Sequence, residues 1–105
     1  MPEHQINIGL QSETIRRIAG VIRQNPKFNE AVVFGSRAKG VAEPGSDIDI
    51  ALTGSEINSN DLLELYARLD ELDLPYYFDL VIYERITEPA LKEHIDKWGV
   101  GLFGL

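Results

Sequence analysis

Gly35-Ser36-Arg37-Ala38-Lys39-Gly40 and, after the turn Glu43-Pro44-Gly45, Ser46-Asp47-Ile48-Asp49-Ile50-Ala51-Leu52 form the stretch on which the reading of this chain turns. Its second half alternates strictly. On an extended strand Ile48, Ile50 and Leu52 therefore share one face, and Asp47, Asp49 and Ala51 share the other. Just upstream, Ala31-Val32-Val33-Phe34 is a short β-rich apolar run closed by Gly35, which reads as a buried strand ending at that glycine. Between the two strands, Ser36 to Lys39 is expected to make one helical turn before Gly40, and Glu43-Pro44-Gly45 resets the chain direction.

Working outward, Ile15, Ile18, Ala19, Val21 and Ile22 recur at helical spacing, with Ser12 as the expected N-cap and Asn25-Pro26 as the stop. Downstream, Thr53-Gly54-Ser55 breaks the strand. From about Ser59 the residues Leu62, Leu63, Leu65, Tyr66, Leu69 and Leu72 predict a second helix, with Asp61 and Glu64 near its positive end. Pro75 precedes Tyr76-Tyr77-Phe78-Asp79-Leu80-Val81-Ile82-Tyr83, aromatic and β-branched except for one acid, Asp79. Thr87-Glu88-Pro89 starts a third helix whose inner stripe is Leu91, His94, Ile95 and Trp98, with Gly99 at its end. The apolar tail from Val100 to Leu105 suits a short strand. The order α-β-β-α-β-α predicts an α/β (α+β) fold, a small mixed β-sheet with helices packed on it, in one domain of residues 1–105.

Composition bounds what such a domain can do. Of 105 residues, 44% are hydrophobic and 26% charged, a globular balance that excludes disordered and low-complexity classes. A chain this short builds an open site rather than a deep enclosed one. Seventeen acids against ten bases give a net charge of −7, which argues against bulk binding of nucleic acid by phosphate neutralisation. With no cysteine there are no disulfides, thiolate metal sites or cysteine nucleophiles, and the cytoplasm is the expected compartment. Met1-Pro2-Glu3-His4-Gln5 lacks the basic and apolar blocks of a secretion signal, and no apolar run is long enough to span a membrane.

The chemistry lies in the acids. Same-face residues on a strand are about 6.5–7 Å apart, so the carboxylates of Asp47 and Asp49 can converge on a hard, oxygen-preferring cation such as Mg²⁺. Asp79 adds a third carboxylate if its strand lies beside theirs and its side chain faces the same way, and the cost of burying an acid there predicts a metal partner. Acids also alternate with apolar residues on any half-exposed strand, and Gly35-Ser36 alone is served equally by a turn glycine and a capping serine. Together they have a joint logic: a strand-to-helix turn whose backbone N–H groups can receive phosphate oxygens, then a pair of carboxylates that can hold metal.

Gly35-Ser36-Arg37-Ala38-Lys39-Gly40 through Ser46-Asp47-Ile48-Asp49-Ile50 resembles the Gly-Ser, ten residues, Asp-x-Asp motif of the DNA polymerase β-like nucleotidyltransferase superfamily, most closely its minimal nucleotidyltransferase (MNT) family. The resemblance runs from the first helix to Trp98-Gly99-Val100 and puts Asp79 at the family's third carboxylate. It implies a polymerase β-like palm and a nucleotidyl transfer in which an acceptor hydroxyl attacks the α-phosphorus of a nucleoside triphosphate and pyrophosphate leaves. Asp47 and Asp49 would hold two Mg²⁺ ions, Ser36 with the Gly35 backbone would hold the β- and γ-phosphates of ATP, and Asp79 would ligate the metal at the acceptor and help deprotonate it. Of Arg37 and Lys39, at most one is expected to face the triphosphate, so neither joins the catalytic set.

The chain is expected to carry no domain that holds an acceptor. The resemblance implies that a helical HEPN-domain protein supplies it, the pair being a toxin–antitoxin module in which the MNT partner adenylylates a tyrosine of the toxin. Two alternatives stay open: a nucleotidyltransferase acting on a small molecule such as an aminoglycoside, across a homodimer cleft, and an antitoxin that works by contact alone. The tail residues Val100, Leu102 and Phe103 are expected to form an exposed partner surface. His94 and Trp98 are read as packing residues, Tyr76, Tyr77 and Tyr83 as strand aromatics, and His4 as part of a loose end.

Overall fold

The computed structural model describes residues 8–105, and the readings of His4 and of the opening Met1–Gln5 fall outside the described residues. Helix α1 spans Ser12–Arg23, followed by strands β1 (Glu30–Phe34) and β2 (Ile48–Thr53), helix α2 (Ser59–Asp70) and strand β3 (Phe78–Ile82). A 3-10 turn at Tyr83–Arg85 leads to helix α3 (Pro89–Trp98), the two-residue strand β4 (Val100–Gly101) and a closing 3-10 turn at Leu102–Gly104. The sheet order is β3-β2-β1-β4. Strand β1 runs antiparallel to β2 and β4, whereas β2 and β3, joined through α2, are parallel. The expected mixed sheet with helices on it is therefore the observed architecture.

The alternation in β2 decides which face is which. Ile48, Ile50 and Leu52 are fully buried in the main core with Ile18 and Ile22 of α1, Leu65 and Leu69 of α2, and Leu80 and Ile82 of β3. Each such side chain contributes roughly 1.5–3 kcal/mol by leaving water. On the opposite face Ala51 packs with Phe34 and with Ile95 of α3 in a smaller cluster. Helices α1 and α2 thus cover one face of the sheet, and α3 covers part of the other. The acidic end of β2 lies on the α3 face.

Several local expectations are corrected. Ser12 is the first helical residue rather than the cap, and Gln11, which precedes it, makes no side-chain cap bond. Ser36 to Lys39 forms turns and no helix. Tyr76 and Tyr77 precede β3, and Tyr83 lies in the 3-10 turn after it. Gly99 does end α3, but at φ −58°, so its need for glycine is space: a β-carbon there would lie 2.3 Å from Val32 Cγ1 and 2.5 Å from the Ile95 carbonyl oxygen. The tail is not a free apolar surface either. Val100 and Leu102 are core residues and Phe103 packs against them, because β4 closes the sheet beside β1. Among the described residues no helix is long and apolar enough to cross a membrane.

Candidate active site

Strand register brings the predicted acids together. Antiparallel pairing sets Phe34 opposite Asp49, and parallel pairing sets Asp79 opposite Asp49 on the other side. Asp49 therefore stands between the end of β1, where Gly35 follows, and the start of the edge strand β3. Neighbouring strands are about 4.8 Å apart, so carboxylates at paired positions point from the same face within reach of a common ion. Asp47, two residues ahead of Asp49 and just before β2 begins, extends the group in the strand direction. Asp49 is half-buried, while Asp47 and Asp79 are exposed. The expectation of a largely buried Asp79 is thus corrected: pairing turns Leu80 and Ile82 into the main core and leaves Asp79 on the open face.

Electrostatics mark Asp49 as the centre of the group. Its partial burial, and then the charges of Asp79 and Asp47, raise its carboxyl above the ordinary 3.8, against the pull of Arg37. The three acids repel one another, and among the described residues no three His, Cys, Asp or Glu side chains close around one point as a metal cage. An all-protein cage is not what Mg²⁺ usually takes. It keeps much of its water and is held by one or two carboxylates plus substrate phosphates, so an all-oxygen set centred on a half-buried acid under like-charge strain fits that ion.

Gly35 fits against this centre. Its φ is +79°, a conformation that costs glycine nothing, and a β-carbon would lie 2.5 Å from Asp49 Oδ2. The chain then wraps tightly: the Lys39 N–H donates to the Gly35 carbonyl at 3.3 Å, Gly40 to Arg37 at 3.1 Å and Val41 to Ser36 at 3.0 Å. Any phosphate-binding capacity of Gly35-Ser36 consequently rests on this turn, with Ser36 exposed, rather than on a helix N-terminus. The Gly35 N–H itself donates to His94 Nε2 at 2.9 Å. The His94 ring also meets Phe34 edge-on, with centroids 6.2 Å apart.

Two residues outside the predicted set shape the site. Arg37 is 2% exposed. Its Nε donates to the carbonyls of Ser46 and Asp47, Nη2 to Ser46 at 2.7 Å, and Nη1 to Ile8 at 2.9 Å and to Gly9 at 3.3 Å. Its guanidinium also lies over the Tyr76 ring, 5.1 Å from the centroid. Of the two cations in the turn, Arg37 thus turns inward, whereas the Lys39 ammonium sits 5.3 Å from the centre of the Trp98 ring. Trp98 is 43% exposed, a departure from the expected packing stripe, and Lys97 approaches the same ring. His94 could have been found as the stripe member nearest the Gly-Ser turn once α3 is placed on the acid face. Arg37 carries no such signal, because a turn has no periodicity to say which side chain faces in.

A cleft of about 440 Å³ runs along the turn, lined by Ile8, Gly9, residues 37–40 and Ala42. None of the three acids lines it; Asp47 and Asp79 are exposed and Asp49 is half-buried.

The model of the polymerase beta nucleotidyltransferase family matches residues 16–104. Among solved structures, a toxin–antitoxin with AMP-PNP is 28% identical with a TM-score of 0.68, covering 84% of this chain and 71% of that one. The toxin–antitoxin MntA-HepT is 26% identical, with a TM-score of 0.65 and coverage of 88% and 71%. A tri-AMPylated Shewanella oneidensis HEPN toxin in complex with MNT antitoxin gives 25% identity, a TM-score of 0.66 and coverage of 89% and 71%. No curated protein sequence matches significantly.

Proposed function

As the chain belongs to the polymerase beta nucleotidyltransferase family, and within it to the minimal nucleotidyltransferases, we propose that it transfers AMP from Mg²⁺-bound ATP to a tyrosine hydroxyl of a HEPN-domain toxin and so acts as that toxin's antitoxin in the cytoplasm. The observation that carries the reading is the pairing of Asp49 with Asp79 across two parallel strands, with Asp47 beside them and the Gly35 turn pressed against Asp49. Further support comes from solved structures similar to this chain, which include one with AMP-PNP and one with a tri-AMPylated HEPN toxin.

In this reading the acceptor oxygen forms a bond to the α-phosphorus of ATP, the bond from that phosphorus to the β-bridging oxygen breaks, and pyrophosphate leaves. Asp79, exposed at the sheet edge, accepts the hydroxyl proton and faces the incoming partner. Asp47 and Asp49 are the residues that would hold Mg²⁺, together with Asp79 on the acceptor side. The bound ions supply charge neutralisation at the phosphates and a more acidic acceptor hydroxyl. The Gly35-Ser36 turn positions the β- and γ-phosphates, with the exposed Ser36 hydroxyl as a donor. Asp47 and Asp79 are exposed to an incoming macromolecule, and in this reading the acceptor is held by the partner.

The test is transfer from α-labelled ATP with Mg²⁺, using the purified chain alone, with the HEPN-domain protein encoded beside it, and with Asp49→Asn in its place. Label on the partner that requires both Mg²⁺ and Asp49 is the expected result. Transfer by the chain alone to an aminoglycoside would favour small-molecule modification, and neutralisation of the toxin by Asp49→Asn without label would favour action by contact.

A further inference from the structure

The resemblance that identifies the acids leaves Arg37 without a role, yet it is the most deeply buried charged side chain among the described residues. A buried guanidinium is costly unless its donors are satisfied, and here all three nitrogens donate to backbone carbonyls. Those carbonyls are not scattered. Arg37 follows Ser36 directly, its fork grips the carbonyls of Ser46 and Asp47, and its flat face covers Tyr76, three residues before Asp79.

One side chain therefore ties the segments that carry the phosphate turn, the first two acids and the third. Asp47 precedes β2; the peptide that follows it is tied to Tyr77 on one side, where the Ile48 N–H donates to the Tyr77 carbonyl at 2.9 Å, and its own carbonyl is held by Arg37.

From this we infer that Arg37 is a positioning residue for the metal site: it sets where Asp47 stands relative to Asp49 and to the Gly35-Ser36 turn. Lysine cannot take its place, because a single ammonium lacks the planar fork that reaches Ser46, Asp47 and Ile8 at once. Lysine adds no negative charge, and any loss of its proton on burial would favour cation binding, so weaker binding by Arg37→Lys reports geometry rather than a changed field.

The inference rests on the metal reading proposed above, and one experiment separates the two. Mn²⁺ binding to the full chain, read from the loss of the free-ion paramagnetic resonance signal, is compared for wild type, Asp49→Asn, Arg37→Lys and Tyr76→Leu. Asn58→Ala, which loosens the fold at the far end of the sheet, is the control for mere destabilisation. Wild type and Asn58→Ala should bind Mn²⁺ alike, Asp49→Asn should lose binding, and Arg37→Lys should bind about 10-fold or more weakly, as for other residues that orient metal ligands. Folded Arg37→Lys with wild-type affinity would overturn the inference. Should Arg37→Lys not fold, Tyr76→Leu decides the matter: it removes the ring that holds the guanidinium in plane, so the fork no longer stands fixed against the Ser46 and Asp47 carbonyls, and wild-type affinity in that variant would overturn the inference equally. Wild type that takes up no Mn²⁺, or Asp49→Asn that takes up as much, would overturn the metal reading and the inference with it.

Discussion

Gly35 and Asp49 sit so close that a β-carbon on the glycine would lie 2.5 Å from the Asp49 Oδ2. This contact joins the first residue of the Gly35-Ser36 turn to the central acid of the carboxylate group, because antiparallel pairing puts Phe34 opposite Asp49. Alanine at position 35 meets two obstacles at once, a φ of +79° and a carboxylate in its way. Gly35→Ala should lower stability by about 1–2 kcal/mol and displace the Asp49 carboxylate. Nucleotidyl transfer should fall far more than that, by a factor on the order of 100, since 1 Å of misplacement at a reacting centre has that effect. Urea melts beside labelled transfer check it, and a variant that is destabilised but transfers normally would contradict it.

Asp49 also predicts a pH dependence. Its carboxyl is raised above 3.8, first by burial and then by Asp79 and Asp47. Between the ordinary and the raised value the folded chain keeps a proton that the unfolded chain has released, so this group's contribution falls as pH rises through that window and remains unfavourable above it. Asp49→Asn should therefore raise stability at pH 7, by less than about 1 kcal/mol once solvent screening is counted. The gain should shrink as pH is lowered toward 3.8. Thermal melts of both proteins across pH give the difference directly. Transfer should drop on the order of 1000-fold in the same variant, so that folding and activity separate.

Much of this was legible before any coordinates, for physical reasons that differ by residue. Ile48, Ile50 and Leu52 alternate with Asp47, Asp49 and Ala51, and a period of two leaves no choice about faces. That fixed the strand and the shared side of two acids. Asp79 was legible as an interruption in an apolar run, but its exposure was not, because an edge strand and a central one read alike until pairing is known. Arg37 was legible as a cation of the turn but its inward direction was not, because turns follow no period. The tail misled because Val100 and Leu102 are apolar whether they meet a partner or, as here, complete the chain's own core.

Helix α2 offers a prediction remote from the site. Asn58 and Asp61 form a reciprocal cap, the Asp61 N–H donating to Asn58 Oδ1 at 2.9 Å and the Asn58 N–H to Asp61 Oδ2 at 2.8 Å. Asn25 Nδ2 and Lys27 Nζ add donors to the same carboxylate. The backbone bond from Asn58 leads in holding the Asp61 carboxyl below its usual value of 3.8. Asn58→Ala should cost about 1 kcal/mol in chemical denaturation, with metal binding unchanged. Because Asp61 is held low, its contribution is present above the ordinary value and lost as pH falls through the lowered one. Asp61→Asn should accordingly destabilise at pH 7 and converge with wild type in strong acid.

The bond from Gly35 to His94 yields the last prediction. An imidazole Nε2 that accepts a hydrogen bond carries no proton, so the ring proton is on Nδ1 in this arrangement. His94 thereby ties the end of β1 to α3, while Lys39 on Trp98 ties the far end of the same turn to the same helix one turn later. His94→Ala leaves the Gly35 N–H without that acceptor and should lower stability by roughly 1 kcal/mol. The more telling readout is local. Amide exchange at Gly35 should quicken about 10-fold, whereas exchange in the centre of β2 should change only as far as global stability does. Glutamine can offer a carbonyl oxygen from nearly the same place, so His94→Gln should recover part of the protection. If the Gly35 amide in His94→Ala exchanges as slowly as in wild type, another group holds that amide and the turn does not depend on α3. If it quickens and the Michaelis constant for ATP changes more than the turnover number, the turn that His94 steadies is the one that receives the triphosphate.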